Sequence, residues 1–207
     1  MIDLIQAEGW LMVPILACSV IAFMVCIERA WVLRRTAIAP TWLLPKIEAR
    51  IKEEGYIDTE FLGQLEQSPS GKILAAGLRK TDFGIDAVKN VMEETANTVI
   101  FDLQRFLTVL GTIASISPLL GLLGTVIGMI QVFTELVSTG GGDPSQLSGG
   151  ISQALITTAF GLGVAILALI GYRYFLRRVD HLIVHLEWQA SRLVDVMVVG
   201  FDVESKQ

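Results

Sequence analysis

Long apolar stretches alternate along this chain with charged, amphipathic ones, and the apolar stretches contain no Asp, Glu, Lys, Arg or His. They run from Gly9 to Ile27, from Phe106 to Thr134 and from Pro144 to Tyr172. A helix rising about 1.5 Å per residue needs roughly 20 apolar residues to cross about 30 Å of hydrocarbon. Each run reaches or nearly reaches that length, and the second is long enough to tilt or to project beyond the membrane. The pattern therefore predicts three transmembrane helices.

The intervening residues have a different period. Pro40 and Pro45 are expected to break the helix leaving the first span. The segments Lys46 to Glu54, Asp58 to Glu66 and Ser70 to Lys80 carry apolar residues at mixed three- and four-residue spacing. Gly55 and the Ser68-Pro69-Ser70-Gly71 stretch punctuate them, so short helices are predicted. From Ile85 onward Val88, Val91, Met92, Thr95, Val99, Leu103 and Phe106 mark one helical face. No Pro or Gly intervenes before Gly111, and a helix unbroken into the second span is expected. After the third span Val179, Leu182, Ile183, Leu186, Leu193, Val194 and Met197 recur in the same way opposite Asp180, Glu187, Arg192 and Asp195. That stripe needs a surface to pack against.

Charge orients the spans. None of the 16 Lys and Arg precedes Arg29, ten lie from Arg34 to Arg105, none from Phe106 to Tyr172, and five from Arg173 onward. Basic residues near span ends stay on the cytoplasmic side, which predicts an all-α membrane protein, N-terminus outside and C-terminus inside, with long cytoplasmic helical extensions. Its parts are a periplasmic N-terminus and first span at 1–35, a cytoplasmic helical region at 36–104, two spans joined by a short outer loop at 105–172, and a cytoplasmic extension at 173–207. A cleaved signal peptide is not expected, because Met1 to Gly9 carries Asp3 and Glu8 and no basic residue. Hydrophobic residues make up 52% and charged residues 18% of the 207, with the surplus apolar surface available for lipid. A net charge of -5 leaves no cationic face for nucleic acid.

The chemistry is limited by what the spans lack. A protein that conducts protons or ions through its own interior normally needs an ionisable or coordinating group at depth, and this chain has no titratable relay there. It has small and hydroxyl residues in rows instead: Ala114, Ser117, Gly121, Thr125 and Gly128 in the second run, and Gly150, Ala154, Thr158 beside Thr157, Gly161, Ala165 in the third. Such rows let helices approach closely, while Thr can also bond back to its own helix. Thr125 and Thr158, in adjacent spans, are placed to face one another or a common lumen. Cys18 and Cys26, about 12 Å apart along one helix, cannot bridge within the chain. His181 and His185 have the i, i+4 spacing of two metal ligands, but without a His-Glu-x-x-His pattern or Cys pair they read as a solvated or interhelix pair, and no metal is expected. Gly140 to Gly142 lead into Asp143-Pro144 without a following Lys-Ser or Lys-Thr, so they form no phosphate loop and read as a flexible outer turn. No nucleophile–base set is present either. An enzyme is not expected, and no cofactor is implied.

The stretches SPLLGLLGTVIGMIQVF at 117–133 and GISQALITTAFGLGVAI at 150–166, with the three-span topology, resemble the ExbB/TolQ/MotA family of ion-channel subunits, closest to ExbB and TolQ. The resemblance implies a homo-oligomeric ring of five copies in the bacterial inner membrane. The second and third spans line a central pore and the first faces lipid. A dimer of a single-span ExbD/TolR-like partner sits inside, its intramembrane Asp carrying the proton. Carried over by motif, Thr125 and Thr158 match the ion-pathway hydroxyls. Gln153, Thr157, Ala154 and Gly128 fall at pore or partner positions, and Pro118, Gly121, Gly124 and Gly161 at helix-packing ones. Many members have Glu where this chain has Gln153, which removes one ionisable group and leaves a side chain able to position water or the partner. The output implied is an energised TonB-like periplasmic protein serving outer-membrane transport. The short outside N-terminus leaves a TolQ-type role open, acting through a TolA-like protein on envelope integrity and division. A four-span flagellar stator fits less well, and a passive membrane scaffold is the reading from a different class.

Overall fold

The computed structural model describes residues 10–54, 58–138 and 144–204. The expected outside N-terminus at 1–9, the Gly55 break and the glycine turn at 140–142 lie outside the described residues. Among the described residues every regular element is a helix: α1 Met12–Val32, α2 Arg35–Ile38, α3 Leu43–Glu54, α4 Thr59–Leu65, α5 Pro69–Leu78, a 3₁₀ turn Thr81–Phe83, α6 Ile85–Gln104, α7 Leu107–Ser138 and α8 Pro144–Glu204. Three helical stretches have the length and hydropathy of membrane spans, beginning at Met12, Ile85 and Ser148. These are the three spans expected from the apolar runs.

The chain divides into two compact units. One comprises residues up to Glu28 with Phe106–Tyr174, and the other Arg29–Arg105 with Phe175–Gln207. In the first unit α1 turns Val13, Leu16, Val20, Phe23 and Ile27 outward at three- and four-residue spacing, while Ile15 and Ala22 are buried. Apolar side chains such as Leu119, Ile130, Leu167 and Ile170 are likewise exposed on α7 and α8. So much open hydrocarbon requires lipid or other subunits around it.

The second unit has its own core. Ser68 caps α5 by accepting from the Gly71 amide at 3.1 Å, with Pro69 at the first helical position. The Ser-Pro-Ser-Gly stretch thus starts a helix as well as ending the previous segment. Gly77 lets α5 approach α6, since a Cβ there would stand 2.5 Å from the Met92 sulfur. Gly84, at φ 90°, opens α6 in a conformation that L side chains rarely adopt. The stripe Val179, Leu182, Leu186, Leu193 and Met197 is buried on α8, and Gln189, 2% exposed in the same row, hydrogen-bonds to the Ser70 hydroxyl of α5. The predicted stripe therefore finds its surface within its own unit.

Two expectations are corrected. The second span does continue as a helical stretch back to Ile85, but it is interrupted by a two-residue turn at Arg105 and Phe106, with Arg105 keeping right-handed helical angles. The Leu103 carbonyl there accepts a hydrogen bond from Arg29 Nη1 at 2.8 Å, and Arg29 is 3% exposed. A charged donor at this carbonyl replaces the amide that a continuous helix would supply. Second, Pro45 does not break a helix. It lies in the first turn of α3, where no intrahelical N–H bond is required, and the first long helix has already ended at Val32.

Candidate functional site

The rows of small residues on α7 and α8 form a single intrachain seam. A Cβ added to Gly161 would stand 2.6 Å from the Ser117 carbonyl oxygen and 3.0 Å from the Gly121 Cα. One added to Gly121 would stand 3.0 Å from the Thr158 Cα, one on Gly124 2.6 Å from the Thr157 methyl, and one on Gly128 2.8 Å from the Ala154 Cβ. At one end Gly150 fits against Val132, and at the other Gly111 lies under the Tyr172 ring. Residue numbers rise on one helix as they fall on the other, so the two helices run antiparallel, with backbones close enough that only hydrogen fits at the crossing. Pro118 lies inside α7 beside the tightest approach. Its neighbour Ser117 is 0% exposed, with a hydroxyl that has no hydrogen-bond partner among the described residues.

The hydroxyls are arranged around this crossing. Thr158 Oγ1 donates across the seam to the Gly121 carbonyl at 2.7 Å. That carbonyl lies one helical turn, about 6 Å, from Thr125 along α7. The Thr125 hydroxyl itself donates to Leu122 of its own helix, 2.7 Å away, and Thr157 donates to the Gln153 carbonyl at 3.0 Å. In these three bonds the hydroxyl donates to a backbone oxygen, which leaves its lone pairs as the remaining hydrogen-bonding capacity; Thr157 is buried at 2% exposure.

Toward the α1 N-terminal end, the seam opens into a pocket of about 30 Å³. Gln131 of α7 and Gln153 and Thr157 of α8 line it with Trp10 and Leu11, which precede or abut α1. Gly124, Ile127, Gly128 and Ala154 complete its wall. The geometry thus sorts the site residues expected from sequence. Gln153, Thr157, Ala154, Gly128 and Gly124 share the pocket, Gly121, Gly161 and Thr158 form the crossing, and Thr125 stands a turn away with its hydroxyl turned to its own helix. Trp10 and Gln131 were not picked out by the sequence reading. A search for carboxamides inside charge-free runs would have found Gln131, but nothing local marks Trp10. In the second unit His185 stacks on Trp188, with ring centroids 5.8 Å apart.

A membrane protein with three apolar spans, whose second and third are sewn together by glycine and threonine, is the class these features define. Residues 65–188, more than half the chain, match the MotA/TolQ/ExbB proton channel family. The chain is 33% identical over 176 residues to a biopolymer transport ExbB-like protein of Synechocystis sp., an alignment covering 84% of this chain and 69% of that one. It is 46% identical over 79 residues to the biopolymer transport protein ExbB of Helicobacter pylori, covering 38% and 54%. With the Tol-Pal system protein TolQ of Haemophilus influenzae it shares 35% over 96 residues, covering 46% and 42%. The last two alignments thus span only about half of those relatives. The chain belongs to the MotA/TolQ/ExbB proton channel family.

Proposed function

We propose that this chain is the ring-forming subunit of an inner-membrane proton channel that works with a single-span ExbD/TolR-like protein bearing an intramembrane Asp, and uses the proton motive force to energise a TonB-like periplasmic protein for outer-membrane transport. The observation that carries the reading is the absence of Asp, Glu, Lys, Arg and His from all three apolar runs in a member of a proton channel family. A proton route then takes its titratable group from another chain. Five copies would place the α7–α8 seams around the partner, with α1 toward lipid.

The coupling follows from charge. A transmembrane potential does about 2.3 kcal/mol of work per charge per 100 mV. Protonation of the partner's Asp removes the cost of facing apolar wall. The threonines, with their protons committed to the Leu122 and Gly121 carbonyls, offer acceptor lone pairs to the protonated acid or to hydrating water. The ionised form requires water as its donor. Alternation between these states moves the partner within the ring. The likeness to a TolQ protein keeps a second output open, through a TolA-like protein acting on envelope integrity and division.

Copurification with the single-span protein, then proton flux in liposomes with and without Thr158→Val, tests this. Flux that requires both the partner and Thr158 is expected. A stable complex with no flux under any gradient would make the chain a scaffold. Capture of a TonB-like rather than a TolA-like protein by the complex separates the two outputs.

A further inference from the structure

We propose that a groove between α6 and α8 docks the basic cytoplasmic flank of the single-span partner as a short amphipathic helix; who that partner is rests on the channel reading above. The groove lies within the second unit and has a volume of about 480 Å³. Its floor is apolar. Met92, Ala96 and Ile100 of α6 line it together with Leu186, Ala190 and Val194 of α8, two rows at i, i+4, i+8 that each run about 12 Å along their helix. Met92 and Leu186 are buried, whereas the other four remain half-buried. The central residue of each row is alanine, which leaves room for a larger side chain from outside. The rim is charged and unmatched. Glu93, Glu187 and Asp195 stand there against Lys89 alone; all four are exposed, and none makes an ion pair among the described residues.

An apolar floor two helical turns long, rimmed by carboxylates, fits a helix whose apolar residues recur at three and four and whose flanks carry Lys or Arg. The rule that assigns residues 36–104 and 173–207 to the cytoplasm gives a single-span partner its basic flank on that same side. A second copy of this chain is a poorer source of cations, since acidic residues outnumber basic ones 21 to 16. Covering the half-buried floor supplies most of the affinity. The rim charges select the occupant and its register, because exposed ion pairs are individually weak. Docking in this groove gives the ring a hold on the partner that is separate from the intramembrane Asp.

The test is site-specific photocrosslinking of the full chain coexpressed with its single-span partner. A photoreactive phenylalanine analogue replaces Asn97 or Ser191, both exposed in the groove, or Thr98, which is exposed on the far side of α6 by helical period. Adducts with the partner are expected at 97 and 191 in at least fivefold higher yield than at 98. Peptide mapping should place them in the Lys- and Arg-bearing stretch on the cytoplasmic side of the partner's span. Glu93→Gln combined with Asp195→Asn removes two exposed, unpaired charges and should lower the yield about threefold, with the fold unchanged by circular dichroism. Equal yields at 97 and 98, or adducts mapped elsewhere on the partner, overturn the docking. Adducts joining two copies of this chain overturn it too and give the groove to a neighbouring subunit. A yield unaffected by the paired charge substitutions overturns the charge matching by which the occupant was chosen. Proton flux from a complex without groove adducts overturns the docking and leaves the channel standing. Groove adducts in a complex that carries no flux overturn the channel and leave the docking standing.

Discussion

The sharpest consequence of the seam is that one substitution, made two residues apart on the same helix, should have opposite effects. In Gly161→Ala the new Cβ stands 2.6 Å from the Ser117 carbonyl oxygen and 3.0 and 3.1 Å from the Gly121 Cα and N. The shortest of these is nearly 1 Å inside the about 3.5 Å at which non-bonded atoms attract. All three neighbours are backbone, so relief comes only from moving α7 or α8. Overpacking of this kind costs about 1–3 kcal/mol. In Gly163→Ala the Cβ meets nothing within 4 Å, and the variant keeps the gain of about 0.5–1 kcal/mol from placing Ala instead of Gly in a helix. Because that gain is common to both, the difference between the variants isolates the steric term, about 2 kcal/mol, or roughly thirtyfold in an unfolding constant.

SDS titration in mixed micelles, followed by circular dichroism, measures the difference. Gly161→Ala is expected to unfold at lower SDS than the parent and Gly163→Ala at equal or higher SDS. The loss should not depend on protein concentration, because the seam lies within one chain. Equal shifts in the two variants would refute the close approach, and a loss that appears only in oligomer assembly would place the seam between copies.

Three other outcomes are expected. Thr158→Val removes the cross-seam bond to Gly121 and should cost about 0.6 kcal/mol, up to about 1.7, in the same titration. Thr125→Val, whose hydroxyl bonds only to its own helix, should cost less; a larger loss for Thr125→Val would contradict the assigned partners. Arg29→Met leaves the Leu103 carbonyl without its guanidinium donor and should destabilise by about 1–3 kcal/mol, read as faster amide hydrogen exchange around residues 103–107, with unchanged exchange there counting against the clamp. Ser70→Ala and Gln189→Leu each orphan one buried partner of the pair, whereas the double variant removes both. A double-mutant cycle should therefore show the double costing less than the sum of the singles, and strict additivity would mean that the bond contributes nothing.

The helices were largely legible because their signals are local. The three charge-free runs, the α6 face through Val88, Met92, Val99 and Leu103, and the α8 stripe from Val179 to Met197 all follow from side-chain period, and their burial agrees with it. Misreadings arose where a neighbour remote in sequence decides the backbone. Nothing near Arg105 signals a break, because Arg29, 74 residues earlier, holds the Leu103 carbonyl. Pro45 reads as a breaker until the start of α3 places it in a first turn.

The candidate site divides in the same way. The sequence alone determined that the spans carry no Asp, Glu, Lys, Arg or His and that glycines and threonines recur at helical spacing, since these are properties of a one-dimensional list. Only the tertiary structure decided which faces meet: that Gly161 receives Ser117 and Gly121, that the Thr158 proton goes to a carbonyl on another helix, and that Gln131 and Gln153 share one pocket with Trp10. Helical period places a residue on a stripe but leaves its rotation and depth against a second helix undetermined. Close packing of two backbones sets both, because a shift of about 1 Å turns contact into clash.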